Sequence, residues 1–107
     1  MGKFVISTRT DGHFQFNLKA DNGLVILTSQ GYAARAGCEN GIESVKTNSP
    51  TDSLYERHKS SNEKHYFTLK STNGLVIGTS QMYEASSGVE TGIASVKANA
   101  PKAEVEG

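Results

Sequence analysis

Thr28-Ser29-Gln30 and Tyr32 stand close together, and the same four residue types return as Thr79-Ser80-Gln81 and Tyr83. Hydroxyls and amides at this spacing bind rather than react, since they give and take hydrogen bonds without supplying a charge or a strong nucleophile. Both stretches join a predicted strand to a predicted helix. A helix N-terminus offers unpaired N–H groups and the positive end of a dipole, so an anion or nucleotide is one ligand class to weigh. The structural role open to the same residues is plainer: Ser29 and Ser80 cap the helices while the tyrosines pack over the first turn. These eight residues are the candidate binding positions.

The remaining reactive residue types read as inert. Cys38 is the one cysteine, and it falls on an apolar helical stripe where the second half of the chain has Val89. A catalytic thiol is exposed and lies near positive charge, so Cys38 reads as a core thiol. A hairpin through Ser60-Ser61-Asn62-Glu63 sets His58 opposite His65, half of a metal site, or with a one-residue shift sets Lys59 there instead. No cysteine or carboxylate cluster completes a ligand set, so no metal and no cofactor is expected. His13 lies in or beside a turn, in solvent. Nucleophile-elbow, zinc-protease and phosphate-loop motifs are all missing, and the expectation is a protein that is not an enzyme.

Charge excludes one class of partner. The chain of 107 residues has 11 basic and 11 acidic side chains, spread evenly, with one net positive charge before residue 51 and one net negative after it. A protein built to grip a polyanion carries a basic excess, so no strong nucleic-acid binding is expected. Met1–Ile6 opens without the apolar run of a secretory signal, and nothing approaches the ~18 apolar residues of a membrane span. With a single cysteine, these features point to the cytoplasm and to no membrane partner.

The elements that position these residues come from a duplication. Residues 14–50 laid over residues 65–101 give 22 identities in 37 positions without a gap. The chain is therefore read as one domain, 1–107, made of repeat one (1–53) and repeat two (54–107). Each repeat predicts three strands and a helix. The first strand spans about Lys3–Thr8, and the second, Phe14–Ala20, alternates Phe14, Phe16 and Leu18 against Gln15, Asn17 and Lys19. Asn22-Gly23 and Asn73-Gly74 mark hairpins. The third strand, Leu24–Ser29, is apolar on both faces. A three-residue loop pairs Leu18 with Ile26, and a two-residue turn pairs it with Leu27. The first is preferred, because Leu24 and Ile26 stay apolar in repeat two whereas Leu27 becomes Gly78.

A helix follows over about Tyr32–Asn48, with Ala34, Cys38, Ile42 and Val45 on one face, matched by Ala85, Val89, Ile93 and Val96. Gly41 and Gly92 fall inside that stripe, where a glycine costs about 1 kcal/mol of helix propensity, so they mark a close approach to the sheet or to the twin helix. Pro50 and Pro101 stop the helices. Leu54–Lys59 opens repeat two, and Ala103–Glu106 reads as a last short edge strand. One such repeat is too small to hold a core, so the two should complete each other as one antiparallel sheet with both helices on one face. The other face would carry Gln15, Asn17, Lys19, Tyr66, Thr68 and Lys70, with Val25 and Val76. Such a face is usually solvated, and with one aromatic it is a thin platform for a single strand of nucleic acid.

The Asn-Gly hairpin, Val-Ile-x-Thr-Ser-Gln-x-Tyr, then a helix ending in Asn-Gly-Ile-Glu-Ser-Val-Lys and Asn-x-Pro, closely resemble the YegP-like family of small bacterial proteins of unknown function, over nearly the whole chain. The resemblance implies an α+β fold of tandem β3-α(-β) repeats in one sheet, with C-terminal strands exchanged so that 102–106 lies in the first repeat's half. It implies that single-repeat members dimerise; the tandem pair supplies that association within one chain, so a monomer is expected. Ala33 and Glu84 stand where the family usually has Ser or Thr as helix cap, which leaves capping to Ser29 and Ser80 or to nothing. No activity comes with the resemblance. The reading reached is a small non-enzymatic binding or protein-interaction module with an unidentified protein or small-molecule partner. A weak single-stranded nucleic-acid or anion/nucleotide binder is the alternative, and an uncharacterised enzyme comes behind both.

Overall fold

A computed structural model describes residues 2–107. Its first repeat holds β1 (Lys3–Thr8), β2 (Phe14–Lys19), β3 (Val25–Thr28) and α1 (Arg35–Asn48); its second holds β4 (Tyr55–Lys59), β5 (His65–Lys70), β6 (Val76–Thr79) and α2 (Ser86–Asn99), followed by β7 (Glu104–Glu106). The fold is α+β, a single seven-stranded sheet in the order β4-β5-β6-β3-β2-β1-β7. Each repeat builds an antiparallel half, and the halves meet where β3 lies beside β6. β7 crosses to the far edge and joins β1, as the exchange of the C-terminal strand implies. It pairs parallel, Phe4 opposite Val105, so the sheet is antiparallel everywhere except at that edge.

One face of the sheet is apolar and carries both helices. Phe4, Phe16 and Leu18 from repeat one meet Tyr55, Phe67 and Leu69 from repeat two, under Ile42 and Val45 of α1 and Ile93 and Val96 of α2, in one continuous core. The helices cross the repeat boundary: α1 lies against β2, β5 and β6, and α2 against β5 and β3. Neither repeat closes its own core, as the short strands required.

Two local expectations change. Both helices start later than the periodicity suggested, at Arg35 and Ser86, and their N-caps, Ala34 and Ala85, make no side-chain cap bond. The loop of the first hairpin has three residues, closed by Ala20 N–H on Leu24 O at 2.9 Å with Gly23 at φ 84°. Yet Leu18 pairs with Leu27, not Ile26, because a bulge follows Lys19↔Val25. The bulge lets Ile26 and Leu27 both turn inward, 6% and 0% exposed. The change from Leu27 to Gly78 that argued against this register is explained across the seam. A Cβ built on Gly78 would lie 2.6 Å from Leu27 Cδ2, so one leucine fills the space of both.

Candidate functional site

β3 and β6 overlap only at their ends, where Thr28 faces Thr79. An open groove of about 450 Å³ lies along this junction. Thr28, Ser29 and Gln30 line it from one repeat and Thr79, Ser80 and Gln81 from the other, with Val25, Val76 and Gly78 completing the walls. Two stretches 51 positions apart in sequence thus form one surface. Among the described residues no charged side chain lines it.

Within the groove the roles divide. The Ser29 hydroxyl accepts from Phe16 N–H at 2.9 Å and donates to Gln30 O at 2.8 Å, and Ser80 repeats both bonds with Phe67 N–H and Gln81 O. Each serine is 7% exposed and ties the end of its third strand to the middle strand, so neither caps a helix. Thr28 Oγ1 donates to Asn17 Oδ1 at 2.7 Å, which fixes its methyl and hydroxyl against β2. Gln30 and Gln81 are exposed. Their amides carry both donors and acceptors, so they are the groups best placed to meet a ligand.

Tyr32 and Tyr83 stand apart from this groove. Each lies half-buried beneath its own helix, stacked on Phe16 at 6.4 Å and on Phe67 at 6.5 Å. A Cβ on Gly41 would fall 2.4 Å from Tyr32 Oη, and one on Gly92 2.5 Å from Tyr83 Oη. The glycines of the helical stripe therefore make room for a tyrosine hydroxyl, not for a twin helix, and a Cβ on Gly37 would rest against the same Tyr32 ring. Burial raises the Tyr32 phenol above its ordinary pKa.

The other candidates settle into structural places. Cys38 is fully buried, and burial raises its thiol pKa, away from the reactive thiolate. Lys59 faces His65 and His58 faces Tyr66, so the two histidines do not oppose each other. Among the described residues no three His, Cys, Asp or Glu side chains gather into a metal site. His13 lies 3.3 Å from Asp11 at an exposed turn. On the open face His58 stacks on Tyr66 at 4.8 Å and shares a 3.0 Å hydrogen bond with Thr68, an aromatic pair where the sequence showed one ring. The alternative hairpin register, with Lys59 facing His65, carried that signal. Lys70 pairs with Glu56 at 3.0 Å, which offsets its charge on this face. Among the described residues no helix is long and apolar enough to cross a membrane.

Comparison with known proteins agrees with the repeat. The family model for a domain of unknown function, DUF1508, matches residues 10–56 and again 60–106. The chain is 52% identical to the UPF0339 protein YegP of Shigella flexneri over 92% of this chain and 89% of that one. It is 49% identical to a UPF0339 protein from the ptx operon 5′ region of Stutzerimonas stutzeri, over 97% and 94% of the two chains. The solution NMR structure of Escherichia coli yegP, a protein of unknown function, superposes with a TM-score of 0.93 at 48% identity, covering 98% of this chain and 90% of that one. None of these names an activity.

Proposed function

We propose that this chain, which belongs to the DUF1508 family, is a small non-enzymatic binding module whose recognition surface is the groove between β3 and β6. The observation that supports this reading is that the two Thr-Ser-Gln stretches face each other across one groove. Its size suits a small molecule or a few residues of a peptide. An uncharged lining gives an anion no cationic partner, while two exposed glutamine amides suit an uncharged ligand that both gives and accepts hydrogen bonds. In the groove both serine hydroxyls are spent on backbone bonds with no base lining the walls beside them, which argues for binding without turnover at this surface. A lone buried thiol fits a reducing cytoplasm.

The test is a set of amide chemical-shift titrations with nucleosides, acetylated dipeptide amides and neutral sugars, with inorganic phosphate and sulfate as charged comparisons. Shifts centred on Thr28–Gln30 and Thr79–Gln81 with an uncharged probe are expected. Shifts there with the anions alone, or with no probe, overturn the reading. The His58–Tyr66 stack favours a second reading, a single strand of nucleic acid laid across the open face. That reading requires oligonucleotide binding that is lost in Tyr66→Ala with Lys70→Ala.

A further inference from the structure

The two outer edges of the sheet end differently. β1 is covered by β7, whereas among the described residues β4 pairs only with β5 and its outer backbone groups meet no strand. A five-residue bare edge is a template for another strand. A second copy of the same edge is the simplest partner, since antiparallel pairing across a two-fold axis is self-complementary.

Centred on Arg57, that pairing sets unlike side chains opposite each other at each position except the middle one. On the open face Glu56 meets the partner's His58, and on the helix face Tyr55 meets the partner's Lys59. Arg57 meets Arg57. Like charges directly opposite are destabilising. The first repeat has Ile6 where the second has Arg57, and Ile6 is 7% exposed in the core. Arg57 instead lies along α2, with Nε 2.9 Å from Glu90 Oε2 and Nη2 3.0 Å from Glu90 Oε1. Asp52 accepts from Arg57 at 3.4 Å and from Lys97 at 2.7 Å. This network holds the guanidinium at the edge.

We infer that Arg57 blocks self-association of this chain through β4, doing by charge at one edge what β7 does by coverage at the other. The surface is an edge-to-edge dimer interface, and the partner it excludes is a second copy.

Sedimentation of the full chain and two variants over about a hundredfold range of concentration tests this by mass action. Wild type is expected to stay monomeric. Arg57→Ile is expected to double in mass as concentration rises, with slowed hydrogen exchange at the β4 amides. Glu90→Gln removes the ion pair but keeps the edge charge, so it is expected to stay monomeric. Dimers of wild type through β4 overturn the inference. So do Arg57→Ile and Glu90→Gln associating alike, which would trace association to a loosened fold. If Arg57→Ile does not fold, Arg57→Thr carries the same expectation, and a folded, monomeric Arg57→Thr overturns the idea.

Discussion

At the seam the first repeat carries Leu27 and the second Gly78; at the outer edges the first carries Ile6 beside β7 and the second Arg57 beneath Glu90. A duplicated chain starts with the same residue on both sides of its pseudo-two-fold axis. At the axis itself two equal side chains compete for one volume, and a large residue with a small one packs where two large ones overlap. Far from the axis the asymmetry has another source. β7 covers one edge of the sheet, and at the other edge charge takes its place. Symmetry survives where each repeat is its own environment, as in the Ser29/Ser80 bonds and the Tyr32/Tyr83 slots.

The seam gives the largest expected effect. Leu27→Ala should cost about 3–4 kcal/mol in a denaturant melt, because Gly78 has no side chain with which to collapse into the hole. Gly78→Leu alone should also destabilise, and combining it with Leu27→Gly should recover most of that loss. Independent, additive losses would show that the two positions do not share a volume.

The tyrosine slots come next. Gly92→Ala should cost about 1–2 kcal/mol net, since overpacking against Tyr83 and Phe67 outweighs the roughly 1 kcal/mol gained in helix propensity. Gly41→Ala should cost less, because its Cβ would meet Phe16 Cε2 at 3.2 Å where that of Gly92 meets Phe67 Cε2 at 2.9 Å. Equal melting temperatures for the two variants and wild type would contradict the slot.

A smaller difference lies in the first turns of the repeats. Gly12 has φ 85° and its counterpart Glu63 has φ 64°, a left-handed conformation that glycine adopts at little cost. Glu63→Gly should stabilise by about 0.5–1 kcal/mol. A lower melting temperature would count against it.

The ion pairs at the β4 edge give the smallest effect, read as a pH slope. The hydrogen bond from Lys97 holds the Asp52 carboxyl below its ordinary pKa, and that from Arg57 does the same for Glu90. A depressed carboxylate contributes stability that is present above its unfolded pKa and lost as pH falls through the folded one. Wild type should therefore lose more melting temperature than Arg57→Ile as pH drops below about 4. Parallel curves would remove this contribution.

Much of the fold was legible because duplication doubles every signal. The alternation of Phe14, Phe16 and Leu18 and the Asn-Gly turns placed the strands, and Cys38, Ile42 and Val45 placed the helix face. The bulge at Ile26 was hidden, because a strand apolar on both faces carries no register, and the clue at Gly78 needed the other repeat in space. The helix starts were missed because alanine N-caps give no side-chain signal. The candidate site was half legible. Thr28, Ser29 and Gln30 with their counterparts do line one groove, but that the two stretches meet depends on the β3–β6 pairing. Tyr32 and Tyr83 belong to the core side, and the signal for that was Gly41 and Gly92 in the apolar stripe of each helix.

Both repeats should contribute to one binding surface, the groove between β3 and β6. Isothermal titration of the uncharged probe that shifts the seam amides most, into Gln30→Ala, Gln81→Ala and the double variant, tests it directly. Each single substitution should weaken binding by a similar factor, about five- to thirtyfold for one lost hydrogen bond, and the double variant should bind weakest. Unchanged affinity in all three, or a loss confined to one repeat, would contradict it.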